Sequence, residues 1–345
     1  MGDTARFRRA AGTHLKLLSP ALLHKRLPAF SLLLALTAGS LGQPSNVPRI
    51  GWVLSGTPEN SGHLIEAMRQ GLADEGLVVG RSVELDVRFT AGRSERYAEH
   101  FGELIRNPVS VLAASGFAGI AAARDASAGR IPIVAYFCGN DVKQMVESFA
   151  RPGGNITGVS CLSAELAAKR IELLKDALPA LRRIGFLYDP RLPGKEKELA
   201  EIREIVRKLG MTVTAATVSS SERLEEVVAS LRRDGAEALV ISEDTFTFGN
   251  RAQIVALAGA HQMVDISAYR EFVLAGGVMS YGPSSVERIR QQARYAARLV
   301  RGVKPSDLPI DQASRFEFVV NLRAARALGV AISQKALLRA DEVVE

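Results

Sequence analysis

From Pro48 onward, short apolar runs alternate with longer amphipathic stretches. Ile50-Gly51-Trp52-Val53-Leu54 is apolar throughout, as a strand covered on both faces must be, and the stretch from His63 to Glu75 after it reads as a helix. Val83 to Phe89 alternates apolar and polar positions, which predicts a second strand, and Ser94 then offers a cap for a helix reaching about Arg106. Val109–Ala114 and Ile131–Ala135 predict two more strands, with a helix over Gly116–Ala126 between them. Strand and helix alternating through short loops make a parallel sheet with helices on both faces.

The pattern then repeats. Arg49-Ile50-Gly51-Trp52-Val53-Leu54 returns as Arg183-Ile184-Gly185-Phe186-Leu187-Tyr188, and Ser94-Glu95-Arg96 as Ser221-Glu222-Arg223. Leu112-Ala113-Ala114-Ser115 returns as Leu239-Val240-Ile241-Ser242. Three echoes in order, each at the same structural step, imply two copies of one βαβαβ unit and therefore an α/β chain of two Rossmann-like lobes. We expect one lobe over 47–158 plus about 283–315, and the other over 159–282 plus about 316–345. In open parallel sheets, ligands gather at the carboxyl ends of the strands. Those ends are Ser55-Gly56-Thr57, Ser115-Gly116-Phe117, Tyr136-Phe137, Tyr188-Asp189 and Ser242-Glu243-Asp244. If the lobes face each other, these loops line one cleft.

Charge sharpens this picture. The net charge is +7, but residues 1–40 hold six basic residues and one acid, which leaves +2 for the rest. With no basic stripe in the body, nucleic acid is not an expected partner. The basic stretch ending at Lys25-Arg26, the apolar run Leu27–Ala38 and the small residues Ala38-Gly39-Ser40 form the pattern of a cleavable secretory signal. The run is shorter than the roughly 20 residues a membrane span needs, and it contains Pro28. The two cysteines, Cys138 and Cys161, read as separate buried thiols rather than a disulfide.

Candidate chemistry is that of binding. Ser115-Gly116 ends a strand and opens a helix, where a hydroxyl and free N–H groups can hold a ligand carboxylate or simply cap the helix. Glu243-Asp244 offers an acid for a ligand amine, with Phe246 close by in sequence and Phe248 expected in the core. Pro152-Gly153-Gly154-Asn155-Ile156-Thr157-Gly158 is glycine-rich but lacks the Lys-Ser/Thr of a phosphate cradle, so it reads as a turn before a strand crossing between lobes, with Thr157 near the hinge. Met279-Ser280-Tyr281-Gly282-Pro283 reads as the return crossing, which brings Tyr281 to the cleft edge. Downstream of the leader only His63, His100 and His261 remain, without metal-ligand spacing, so neither a metal nor a cofactor is expected. An exported hydrolase would need a base beside a nucleophile, and Ser115 sits in no nucleophile elbow. A ligand-sensing regulator shares the architecture but would carry a helix-turn-helix where the leader stands.

Several stretches together resemble a known family: Ala150 to Ser160, Glu165 to Arg170, Gly276 to Pro283, Phe316 to Leu322 and Leu338 to Glu345. They are similar to the solute-binding components of ABC transporters, in the group that includes tryptophan and tyrosine uptake proteins. The resemblance implies a type I periplasmic-binding fold with a multi-strand hinge. It also implies a small amino acid-like or organic-acid solute clamped by closure, with a permease and its ATPase as partners. It implies no catalysis, a monomer and a periplasmic location. Residue by residue, it carries Ser115-Gly116, Thr157 and Asp244 over as ligand contacts. The family's Asp-Pro-Val after the fourth strand is here Gly139-Asn140-Asp141-Val142, so either Asn140 or Asp141 takes that place.

Overall fold

The repeated Arg-Ile-Gly opens two strands that hold the same place in two separate sheets. The computed structural model describes residues 47–137, 142–161 and 163–345. The leader, Cys138, Asn140 and Asp141 lie outside the described residues. The strands are β1 (Arg49–Leu54), β2 (Glu84–Phe89), β3 (Val111–Ser115), β4 (Ile133–Phe137), β5 (Ile156–Ser160), β6 (Arg183–Tyr188) and β7 (Thr212–Thr217). They continue with β8 (Ala238–Ile241), β9 (Val264–Ser267), β10 (Met279–Pro283), β11 (Asp311–Gln312), β12 (Phe316–Asn321) and β13 (Glu342–Val344). One sheet has the order β11-β5-β4-β3-β1-β2, the other β13-β12-β10-β9-β8-β6-β7. The orders 5-4-3-1-2 and 10-9-8-6-7 are the same path walked twice. All pairs are parallel except β10 with β12.

The glycine of the repeat has a packing reason. A Cβ on Gly51 would lie 3.2 Å from Leu104, and one on Gly185 would lie 2.9 Å from Leu231. Leu104 ends the helix Arg96–Leu104 and Leu231 lies in the helix Leu224–Arg233, the second helix of each copy. Each copy therefore drops a leucine onto its central strand, and glycine leaves room for it where a Cβ would push the leucine aside.

The chain passes between the sheets at three places. It leaves the first sheet after β5, returns after β10 into the helix Ser285–Val300, and leaves again between β11 and β12. That helix packs along the helix Pro58–Asp74 at close range, since a Cβ on Gly71 would lie 3.0 Å from the Arg290 backbone. Its Gln292 donates to Ala114 O at 3.1 Å and to Val134 O at 3.0 Å, fastening it under the first sheet.

The glycine-rich turn also acquires a structural account. Asn155 Nδ2 donates to Ile131 O at 2.7 Å, and Thr157 Oγ1 donates to Leu308 O at 2.6 Å. Gly158 has φ +147°, and a Cβ there would sit 1.9 Å from Ala135 O. Asn155, Thr157 and Gly158 thus each tie β5 closely to its neighbours. Gly158→Ala should destabilise the fold by about 3 kcal/mol or more, because backbone on both strands must move. Urea denaturation checks this, and a loss below about 1 kcal/mol would show that the strands part freely here.

Candidate functional site

At the carboxyl ends of the central strands the two sheets enclose a small cavity of about 30 Å³. On the first sheet's side its wall is Leu54 at the end of β1 and Ser55 just after it, Ser115 at the end of β3, Leu64, and Arg288 with Ile289 from the helix Ser285–Val300. On the other side stand Asp244, Thr245, Phe248 and Tyr269. The lobes are in contact around it. A Cβ on Gly116 would lie 2.6 Å from Thr245 Cγ2, and one on Gly249 would lie 2.5 Å from Gly92 Cα. Arg251 donates to Asn60 O at 2.9 Å, and His63 Nε2 lies 3.0 Å from Glu271 Oε1. The buried apolar cluster beneath Leu54, Leu64 and Ile289 continues without a break into Phe246, Phe248, Tyr269 and Phe272. This is a closed cleft.

Two opposite charges face that cavity. Asp244 follows β8 and caps the five-residue helix Thr245–Gly249, with Oδ1 accepting from Thr247 N at 2.7 Å. Its Oδ2 is buried and accepts no hydrogen bond from any described residue. Burial pushes the carboxyl up to about 6, against the pull of the Lys195 charge and the Thr247 N–H. Arg288 enters from the opposite wall. Its guanidinium lies 4.0 Å from the Tyr136 ring centre and 5.3 Å from that of Tyr269, so two aromatic faces fix its plane. Ser115 precedes the helix Gly116–Ser127, yet its side chain makes no cap bond to that helix. An acid, a base and a hydroxyl thus stand among apolar and aromatic walls, the arrangement that holds a small polar ligand.

Residues 61–344 match the family of ABC transporter substrate binding proteins. The chain belongs to this family. A tyrosine-binding protein of Clostridioides difficile is 23% identical over 186 residues, which are 53% of this chain and 52% of that protein. The chain thus spans about half the length of this curated relative. An ABC domain from Streptococcus pneumonia, solved in complex with L-Trp, superposes with a TM-score of 0.77 at 21% identity, covering 86% of this chain and 99% of that one. A conserved domain protein from Vibrio cholerae reaches 0.78 at 21% identity with the same coverage of 86% and 99%. The fold is that of the type I periplasmic binding proteins.

In this substrate-binding protein the sequence-predicted residues separate into groups. Ser55, Ser115 and Asp244 line the cavity, and Gly116 forms the contact between lobes beside it. Tyr136 is fully buried and meets the cavity only through Arg288, which lies on its ring. Four expected contacts turn elsewhere. The Tyr188 ring stacks on Phe186 at 5.2 Å within the second lobe's core, because alternate residues of a strand share a face, and its hydroxyl donates to Glu196. Asp189 is engaged by Arg191 through a two-pronged ion pair with Nη2–Oδ2 at 2.6 Å. Thr157 is spent on Leu308, deep in the first sheet. Tyr281 pairs with Phe318 inside the second sheet, and its ring packs against Phe316 at 6.4 Å.

Conversely, Arg288, Tyr269 and Thr245 line the cavity unannounced by the sequence reading, and Phe248 serves both the core and the cavity wall. Tyr269 follows β9, so the strand-end rule would have reached it had that strand been identified. Among the described residues, no group of three or more His, Cys, Asp or Glu is placed to hold a metal.

Proposed function

We propose that this protein is the solute receptor of an ABC importer, holding an amino acid-like ligand between its lobes and handing it to a permease driven by an ATPase. The observation that carries this reading is the pairing of Asp244 and Arg288 across one closed cavity. A ligand with an ammonium group and a carboxylate satisfies both, and the buried walls take its side chain. Ser115 and the N–H groups that open the helix Gly116–Ser127 supply further donors for the carboxylate. The relatives that bind tyrosine and L-Trp support the class of solute.

The ligand is bound without being transformed. Among the described residues, His63 faces Glu271, His100 lies against Phe89 O, and His261 against Glu225, so none stands beside Ser115 as a base. One chain supplies both walls, which supports a receptor that works as a monomer. The signal pattern over residues 1–40 supports a periplasmic location. Among the described residues, no helix is long and apolar enough to cross a membrane.

The test is a thermal-shift survey of protein stripped by unfolding and refolding. Zwitterionic L-amino acids should raise its stability, by about 2.7 kcal/mol at a hundredfold excess over Kd. Analogues that lack either the ammonium or the carboxylate should bind at least about tenfold more weakly. Equal binding of an amine-free acid would sink the reading.

A further inference from the structure

Behind the cavity lies a lysine that neither the strand-end rule nor any motif singled out. Lys195 opens the helix Lys195–Lys208, and its side chain is buried. Its Nζ donates to Ser242 Oγ at 2.6 Å, to Glu198 Oε2 at 2.7 Å and to Glu243 O at 3.3 Å. Two of these acceptors belong to the residues immediately before Asp244. The ammonium is therefore pinned to the same strand end that presents the carboxylate to the cavity. A buried ammonium is costly unless anions answer it, and here the answering anions are Glu198, Asp244 and Glu243.

We propose that Lys195 is a positioning residue for the cleft: its charge keeps the Asp244 carboxylate anionic before any ligand arrives, so that an ammonium group is met by a ready partner. This rests on the reading of Asp244 as the ligand's anchor.

The surroundings of Asp244 show why Lys195 carries that role. From the end of β6, Asp189 is a like charge, largely occupied by Arg191. On the same strand end, the Glu243 carboxylate accepts from Tyr269 Oη at 2.8 Å and lies 3.6 Å from Arg170 Nη1. Glu198 stands beyond Lys195, Arg288 shares the cavity wall, and Glu95 reaches the group only through Arg191. Burial is the main force pushing Asp244 up, and Lys195 is the first of the influences opposing it. Burial pulls Lys195 itself down, but its three anions hold it above the ordinary lysine range. It therefore stays charged wherever Asp244 titrates.

The experiment is a carboxyl ¹³C NMR titration of the ligand-free protein, with the Asp244 signal assigned by its loss in Asp244→Asn. The wild-type midpoint should fall at about 6. Lys195→Gln should raise it by about one pH unit or more, while Lys195→Arg, which keeps the charge, should leave it near the wild-type value. An unchanged midpoint in Lys195→Gln overturns the proposal. If that variant does not fold, Glu198→Gln replaces it: with its nearest anion gone, Lys195 acts on Asp244 unopposed and the midpoint should fall. No movement there overturns the proposal equally.

Calorimetry with L-tyrosine and L-tryptophan separates this inference from the reading beneath it. Asp244→Asn binding as tightly as wild type would refute the anchor, whereas the NMR midpoints judge Lys195 in either case.

Discussion

Gly249→Ala should fold normally and fail to close. Gly249 ends the helix Thr245–Gly249 outside the left-handed region, so within its own lobe alanine is an acceptable residue. Across the cleft it is not. The new Cβ would lie 2.5 Å from Gly92 Cα and 2.7 Å from Ser55 O, and backbone atoms cannot swing aside as a side chain can. Separating the lobes relieves the clash entirely, so its cost falls on the closed state alone. Overpacking of this kind costs about 3 kcal/mol, which corresponds to roughly 100-fold weaker ligand binding. Small-angle scattering should show the ligand-driven contraction of wild type disappearing in the variant, with the denaturation midpoint of the ligand-free protein unchanged. Wild-type affinity in Gly249→Ala would mean that the ligand is not held in this closed arrangement.

Asp244→Asn should exchange affinity for stability. The asparagine Oδ1 can still accept from Thr247 N, so the helix cap survives. What disappears is a buried anion facing the cavity. Losing its bond to a ligand ammonium should cost about 2–4 kcal/mol, or roughly 30- to 1,000-fold in Kd by calorimetry. The empty protein should respond in the opposite sense. Because the folded carboxyl titrates at about 6, above its ordinary 3.8, folding favours its neutral form. Its contribution to stability is full below about 3.8 and is lost as the pH rises from there through about 6. Asparagine, always neutral, escapes that loss, so the variant should gain on the order of 2–3 kcal/mol over wild type at about pH 8 and almost nothing at about pH 3. Affinity of the wild type for an amine should rise over the same window, as Asp244 becomes charged. A variant less stable than wild type at high pH would contradict this account of the carboxyl.

The two-lobed fold was legible because its repeat is enforced by packing. Gly51 and Gly185 both leave room for a leucine, Leu104 and Leu231, to seat closely, so the echo survives in the residues themselves. The cleft was legible in part. Ser55, Ser115 and Asp244 follow directly from the rule that parallel strands gather ligands at their carboxyl ends. That rule places a residue at an end but does not choose its face, and Tyr188 and Asp189 turned to the helix layer and to a neighbouring arginine. Arg288 was hidden for another reason. It comes from the helix Ser285–Val300, which reaches the cavity only because the chain returns to its first sheet after β10. Lys195 was masked by its own neighbourhood, since Lys195-Glu196-Lys197-Glu198 reads as an ordinary solvated run until the fold buries its first member.

That same return has a consequence for how the molecule is made. Without the helix Ser285–Val300, the helix Pro58–Asp74 and the underside of β3 and β4 would stand bare, and β5 would lack its edge partner β11. A chain synthesised from its N-terminus therefore cannot finish its first lobe until about residue 312 has emerged, after β6 to β10 of the second sheet have been made. The half that is born first is completed only after most of the second sheet's strands. Nascent chain is thus kept short of a finished first lobe while the central strands of the second sheet are being made.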